Sequence, residues 1–238
     1  MDSIRISKKN VYMIAHRGLS GIEIENTYPA FLAAANKSFY GIECDIRKTK
    51  DKKYITFHDQ DLKRLSGNDV KVKNATYEQL RQIPLRTSSH PEDEYNRVTL
   101  FEDYLEMCKR YHKVAIIELK DKFLKRDIGK ILKIIEKKEM LEFTKIITFH
   151  NFQLKLIRDL NLKIGIQILV DKYTDSVLFD CQKYHLDVSM YYENLSKDIV
   201  DLFHSFNIKV GAWTIDNPVD ALMVMDWGVD FVTSNILE

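Results

Sequence analysis

Residues 114–149 read VAIIELKDKFLKRDIGKILKIIEKKEMLEFTKIITF, and this stretch decides the fold class. It opens on a short apolar run, 114–119, rich in β-branched side chains, which is the composition of a strand. An amphipathic pattern follows over 125–138, where Ile128, Ile131, Leu132 and Ile135 recur at three- and four-residue intervals and fall on one helical face. A second β-branched run, 145–149, completes a strand–helix–strand unit.

The same alternation extends in both directions. Further strands are expected over 11–15, 41–46, 164–170, 186–190, 208–214 and 230–233, and further helices over 28–36, 152–160, 174–184, 197–206 and 218–227. Helix starts are signalled by Asn26-Thr27 before Pro29, by Ser196 before Lys197 and by Asn217 before Pro218. Repeated β-then-α units imply a parallel sheet covered by helices. Eight strands in a chain of 238 residues fit a closed (β/α)8 TIM barrel, a single domain over 1–238, better than an open doubly wound sheet. The rhythm breaks once, after the second strand. Residues 54–58 can extend that strand's pairing, and a polar stretch leads on to a helical pattern at 100–111; the insertion is placed at about 59–112. A connection that long is functional or carries its own small structure. It would hang over the C-terminal rim, where barrel active sites are built.

Composition narrows the partners. The 36 basic and 35 acidic residues give a net charge of +1, without the basic stripe that nucleic acid requires. Cys44, Cys108 and Cys181 are scattered and odd in number, so neither a disulfide framework nor a zinc site is indicated. The N-terminus lacks the apolar core of a signal peptide, and no apolar run is long enough for a membrane span. A cytoplasmic protein acting on a small molecule is expected; the oligomeric state is left open.

Polar residues gather at the C-terminal ends of the early strands: His16-Arg17-Gly18, Glu43-Cys44-Asp45, His58-Asp59 and Glu118-Leu119-Lys120. Alternation along a strand points Glu43 and Asp45 one way, and likewise Glu118 and Lys120. Alternation alone does not choose the register, because the opposite choice turns Ile42, Cys44 and Ile46 inward and makes the acids outward ion-pair partners. If the acids face in, three carboxylates converging on one mouth need a cation. Oxygen-only donors suit a hard divalent ion, Mg²⁺ or Ca²⁺.

His16-Arg17-Gly18, Glu25-Asn26-Thr27, Glu43-x-Asp45, His58-Asp59 and Glu118-x-Lys120, in that order, resemble the signature of the glycerophosphodiester phosphodiesterase family. Trp213-Thr214, Gly228-Val229-Asp230 and Thr233-Ser234-Asn235 resemble its C-terminal half. The resemblance implies a barrel with a small insertion after strand two, and metal-dependent hydrolysis of glycerophosphodiesters to an alcohol and sn-glycerol 3-phosphate. It implies that Glu43, Asp45 and Glu118 hold the metal and that Arg17 and Lys120 clamp the phosphate. His16 and His58 would be the acid–base pair, their order and the nucleophile left open, and Trp213 would pack on the glycerol carbons. Glu25 and Asn26 would stand behind these groups, unless Asn26 merely caps the first helix.

Other histidines (His90, His112, His185, His204) read as structural, and His150, at a strand end, as a possible wall of the site. Departures from the family pattern are Lys52 in place of a turn glycine, Thr148-Phe149-His150 for Ser-Phe, and Ser234-Asn235 near the end. Competing readings are a lysophospholipase D or phospholipase C-like phosphodiesterase, expected to carry an exposed apolar element at the barrel mouth, and a catalytically silent barrel that binds phosphorylated ligands. The polar character of the segment after His58 favours a water-soluble substrate.

Overall fold

A computed structural model describes residues 2–7, 10–87 and 94–238. Eight parallel strands close into a barrel: β1 (Tyr12–Ala15), β2 (Gly41–Lys48), β5 (Val114–Leu119), β6 (Thr144–Thr148), β7 (Gly165–Val170), β8 (Asp187–Tyr191), β9 (Val210–Trp213) and β10 (Phe231–Ser234). Closure comes from β1, which pairs with β10 on one side and β2 on the other. The outer helices are α1 (Tyr28–Ala35), α4 (Phe101–Arg110), α5 (Lys125–Lys137), α6 (Asn151–Leu160), α7 (Asp175–Tyr184), α8 (Lys197–Ser205) and α9 (Pro218–Asp226). Each expected strand and helix appears within a residue or two.

The periodicities explain the layering. Ile128, Ile131, Leu132 and Ile135 of α5 enter the shell between helices and barrel, where Ile42, Cys44, Ile46, Ala115, Ile117 and Leu119 meet them. Glu43 and Asp45 therefore face the barrel interior, which settles the register that alternation left open. Register across the sheet sets Asp45 beside Glu118. Below them Ile14, Ile116, Ile147, Leu169 and Phe231 fill the interior as an apolar plug.

The segment after β2 is a small unit of its own. β2 runs past the barrel and pairs antiparallel with β3 (Tyr54–Thr56), which pairs with β4 (Thr99–Leu100). Two short helices, α2 (Lys63–Ser66) and α3 (Tyr77–Arg81), lie between. Ile24, Ile55, Phe57, Leu62, Leu65, Leu80 and Leu85 give this unit a separate apolar core. α4 does not belong to it: Phe101, Tyr104, Leu105 and Cys108 sit in the main shell, so the added piece ends before 101 rather than near 112. His90 lies outside the described residues.

The Asn26-Thr27 pair divides its two expected roles. Thr27, not Asn26, caps α1 by accepting from the Ala30 amide. Asn26 has φ +58° and is turned toward the barrel. The Asp51-Lys52 hairpin is kept, with Lys52 in the left-handed region at φ +65° where glycine is the unstrained choice.

Candidate active site

After β1 the chain turns sharply, with Arg17 at φ +55° and Gly18 at φ +80°. A Cβ on Gly18 would lie 2.6 Å from the Ala30 carbonyl carbon, so only glycine lets α1 pack this close. The turn aims the Arg17 amide at Glu43 Oε2, 2.8 Å away. His16 is left at the barrel mouth.

Glu43, Asp45 and Glu118 are buried and each offers an oxygen within 4.8 Å of the others. Glu43 Oε1 and Asp45 Oδ1 lack hydrogen-bond partners. Orphaned buried carboxylate oxygens are costly, and a divalent cation between them removes that cost; the all-oxygen donor set fits a hard ion. The acids themselves respond to the crowding. Burial, then Asp45 and Glu118, push Glu43 well above the usual carboxylate range. Burial and Asp45 push Glu118 up to about 7. For Asp45 burial acts in the same direction, but Arg17 and Lys120 outweigh it and hold the group low.

Asn26 positions Asp45 from two sides. Its amide nitrogen donates to Asp45 Oδ2 at 2.8 Å, and its oxygen accepts from the Asp45 amide at 3.0 Å. Arg17 Nε lies 3.2 Å from Asp45 Oδ2, and Lys120 Nζ is 2.8 Å from Glu118 Oε1. Glu25 accepts from Arg17 Nη1 at 2.9 Å and is itself gripped by Arg64 at 2.7 and 2.9 Å.

The two histidines are oriented differently. His16 Nδ1 donates to Asn235 Oδ1 at 2.7 Å, an oxygen fixed because Asn235 Nδ2 donates to Asp216 at 2.6 Å. That leaves His16 Nε2 bare. Burial, then the Arg17 charge, lower its pKa to about 4. His58 Nδ1 bonds Asp59 Oδ1 at 2.8 Å, and Arg64 Nε bonds Asp59 Oδ2 at 2.7 Å. Burial lowers the His58 pKa, while Asp45 and Asp59 oppose the shift. Arg47 donates to the His58 carbonyl at 2.8 Å and pairs with Asp121 at 2.6 Å, fixing the loop that carries this histidine.

These groups open on a cavity of about 240 Å³. Its polar lining includes His16, Arg17, Glu43, His58, Glu118 and Lys120, and its apolar lining Ile116, Ile147, Phe149, Leu169 and Trp213. The Trp213 indole donates to the Ser189 carbonyl at 3.1 Å, with Phe149 and Tyr191 at ring distances of 5.6 and 5.5 Å. The Trp213–Thr214 peptide is cis. A larger hollow of about 530 Å³, beside Tyr28, Tyr77, Arg81 and Asp103, has among the described residues no histidine and no carboxylate triad in its lining. His150 does not line the 240 Å³ cavity; it starts α6.

Sequence reasoning did not single out Arg64, Arg47 or Asp216, and gave Phe149, Asn235 and Asp59 no role of their own. The quoted His58-Asp59 pair could have pointed to Asp59. Arg64 follows in a segment that reads as a polar loop, and its two partners come from different elements.

An acid-lined barrel mouth with an arginine fork, a lysine and two oriented imidazoles is a donor set suited to a phosphoryl group and a hard divalent cation. The comparisons agree. The profile of the glycerophosphoryl diester phosphodiesterase family matches residues 16–237, and the chain belongs to that family. A glycerophosphodiester phosphodiesterase of Bacillus altitudinis is 26% identical over 228 residues, 92% of this chain and 91% of the relative. One from Caldanaerobacter subterraneus subsp. tengcongensis is 24% identical over 230 residues, 94% and 93% of the two chains. The solved structure of an Oleispira antarctica phosphodiesterase in complex with the product sn-glycerol-3-phosphate shares the fold with a TM-score of 0.87 at 22% identity, covering 94% of this chain and 93% of that one. Among the described residues no helix is long and apolar enough to cross a membrane.

Proposed function

We propose that this site hydrolyses glycerophosphodiesters to an alcohol and sn-glycerol 3-phosphate. The observation that carries the reading is the convergence of three buried carboxylates, two of them with orphaned oxygens, beneath a pair of histidines. Glu43, Asp45 and Glu118 would hold a divalent cation, Mg²⁺ or Ca²⁺, which draws charge from the non-bridging phosphate oxygens. Arg17 would bind the same oxygens through its planar fork, and Lys120 as a point charge. His16, neutral at pH 7 with Nε2 bare, is set to accept the nucleophile's proton. His58, backed by the Asp59 carboxylate, is set to donate to the leaving oxygen; the negative charge of a bound phosphodiester favours its protonated form. Trp213 and Phe149 would cover the glycerol carbons. Glu25, Asn26 and Asn235 would hold these groups in place. The free, buried cysteines suit a reducing, cytoplasmic setting.

Leaving-group chemistry tests the reading. The protein is expected to release product from glycerophosphocholine and from a nitrophenyl ester of glycerol phosphate. His58→Ala should be strongly impaired on the first and much less on the second, whose leaving group needs no proton. His16→Ala should be impaired on both. No turnover of either ester by folded protein supplied with Mg²⁺ or Ca²⁺ would refute the reading in favour of a silent binding barrel.

A further inference from the structure

The 240 Å³ cavity also holds uncharged polar groups to which the hydrolytic chemistry gives no part. Gln167 of β7 and Ser189 of β8 line it together with Ile116, Ile147 and Leu169. Both are buried, at 2% and 5% exposure. The Gln167 amide is fixed, because Nε2 donates to the Val188 carbonyl at 3.0 Å. Its Oε1 is left without a hydrogen-bond partner among the described residues, and so is the Ser189 hydroxyl. Strand β9 keeps the space beside them open. Gly211 stands next to Ser189 in the register, and a Cβ there would lie 2.9 Å from Ser189 Oγ and 3.1 Å from Gln167 Nε2. The two side chains therefore border one small space, which any residue larger than glycine at 211 would fill. Trp213, two residues along β9, is tied to the same place through its indole bond to the Ser189 carbonyl.

Buried polar atoms without partners are costly. A cation accounts for the orphaned carboxylate oxygens of Glu43 and Asp45, but it does not account for a neutral amide oxygen and a neutral hydroxyl set among aliphatic side chains. An apolar wall carrying a few placed polar groups is the usual build of a site that fixes a ligand's orientation. A free amide acceptor beside a free hydroxyl matches an alcohol, which gives one hydrogen bond and takes another. It does not match a trimethylammonium group, which has no N–H or O–H to give. Of the two ends of glycerophosphocholine, then, the glycerol fits this floor and the choline does not. The glycerol 2-hydroxyl is one carbon from the ester carbon and stays beside the phosphate clamp; the terminal hydroxyl reaches a carbon further.

We propose that Gln167 and Ser189 determine specificity by reading the terminal hydroxyl of the glycerol, which donates to Gln167 Oε1 and accepts from the Ser189 hydroxyl. The inference rests on the hydrolytic reading and gives it a direction, with the glycerol turned into the barrel and the leaving alcohol toward solvent. The experiment compares kcat/KM for glycerophosphocholine and for 2-hydroxypropyl phosphocholine, which lacks only the terminal hydroxyl, with Mg²⁺ or Ca²⁺ supplied. A site built around a hydroxyl rejects the analogue without it, so the native chain should favour the glycerol ester by about 10- to 100-fold. Gln167→Met keeps the length of the side chain and loses the acceptor; it should shrink the preference to about threefold or less. Ser189→Ala should shrink it by roughly three- to tenfold, and serves by itself if Gln167→Met does not fold. The preference is the telling readout, because a loss of packing alone lowers both rates together. Equal rates on the two esters by the native chain, or the native preference kept in the folded variants, overturns the inference while hydrolysis stands. No turnover of either ester overturns the hydrolytic reading, and the inference falls with it.

Discussion

Arg64→Ala would sever a charge relay that runs around the cavity. Arg64 links Glu25, which holds Arg17, to Asp59, which holds His58, through bonds of 2.7 to 2.9 Å. Its side chain is 47% exposed, so solvent screening limits its value to stability to about 1 kcal/mol despite three charge-assisted bonds. The effect on catalysis should be larger. A positioned acid contributes on the order of 10²–10⁴ in rate, and loosening Asp59 forfeits part of that. We expect kcat on glycerophosphocholine to fall about 10- to 100-fold, roughly 1.4–2.8 kcal/mol of barrier, with a smaller rise in KM as Arg17 relaxes. Arg64→Lys, a point charge that cannot fork, should recover only part of the loss. Because Arg64 acts on His58 through Asp59, Arg64→Ala with Asp59→Asn should cost little more than the worse single change. Steady-state kinetics of the four proteins decide the matter. Native kcat in Arg64→Ala, or strictly additive losses, would refute the relay.

Lys52→Gly, which relieves a left-handed backbone at an exposed hairpin, should raise stability by roughly 0.5–1 kcal/mol in urea denaturation. Gly18→Ala, whose methyl would meet the α1 backbone, should cost about 3 kcal/mol or more and lower Tm clearly. Cation affinity should depend on pH in one direction. With the site empty, Glu118 carries its proton below about 7 and Glu43 is raised as well, so a cation must displace protons as pH falls. Apparent affinity should weaken about tenfold per pH unit per displaced proton. The rise in Tm on adding Mg²⁺ or Ca²⁺ should be larger at pH 8 than at pH 5.5, and an equal or reversed response would contradict the protonated site.

The barrel was legible because its signals are local: apolar alternation and three- to four-residue spacing recur through the chain. The acids at 43, 45 and 118 were legible for the same reason, since they stand at fixed places on strands. Their inward register was not, because Ile42, Cys44 and Ile46 alternate equally well; packing against the helices decides it. Asn26 could be read either as a helix cap, because it precedes Thr27 and Pro29, or as a support behind the site, and its positive φ turns it to Asp45. Arg64 and Asn235 were hidden because their roles lie in partners 39 and 219 residues away.

The central claim is tested most directly by release of sn-glycerol 3-phosphate from glycerophosphocholine by chelator-stripped protein, with and without restored Mg²⁺ or Ca²⁺, beside His16→Ala and Glu43→Ala. Release should require the cation and should be abolished by either substitution. Equal release in the presence of chelator, or native rates in Glu43→Ala, would contradict a cation held by the three buried carboxylates.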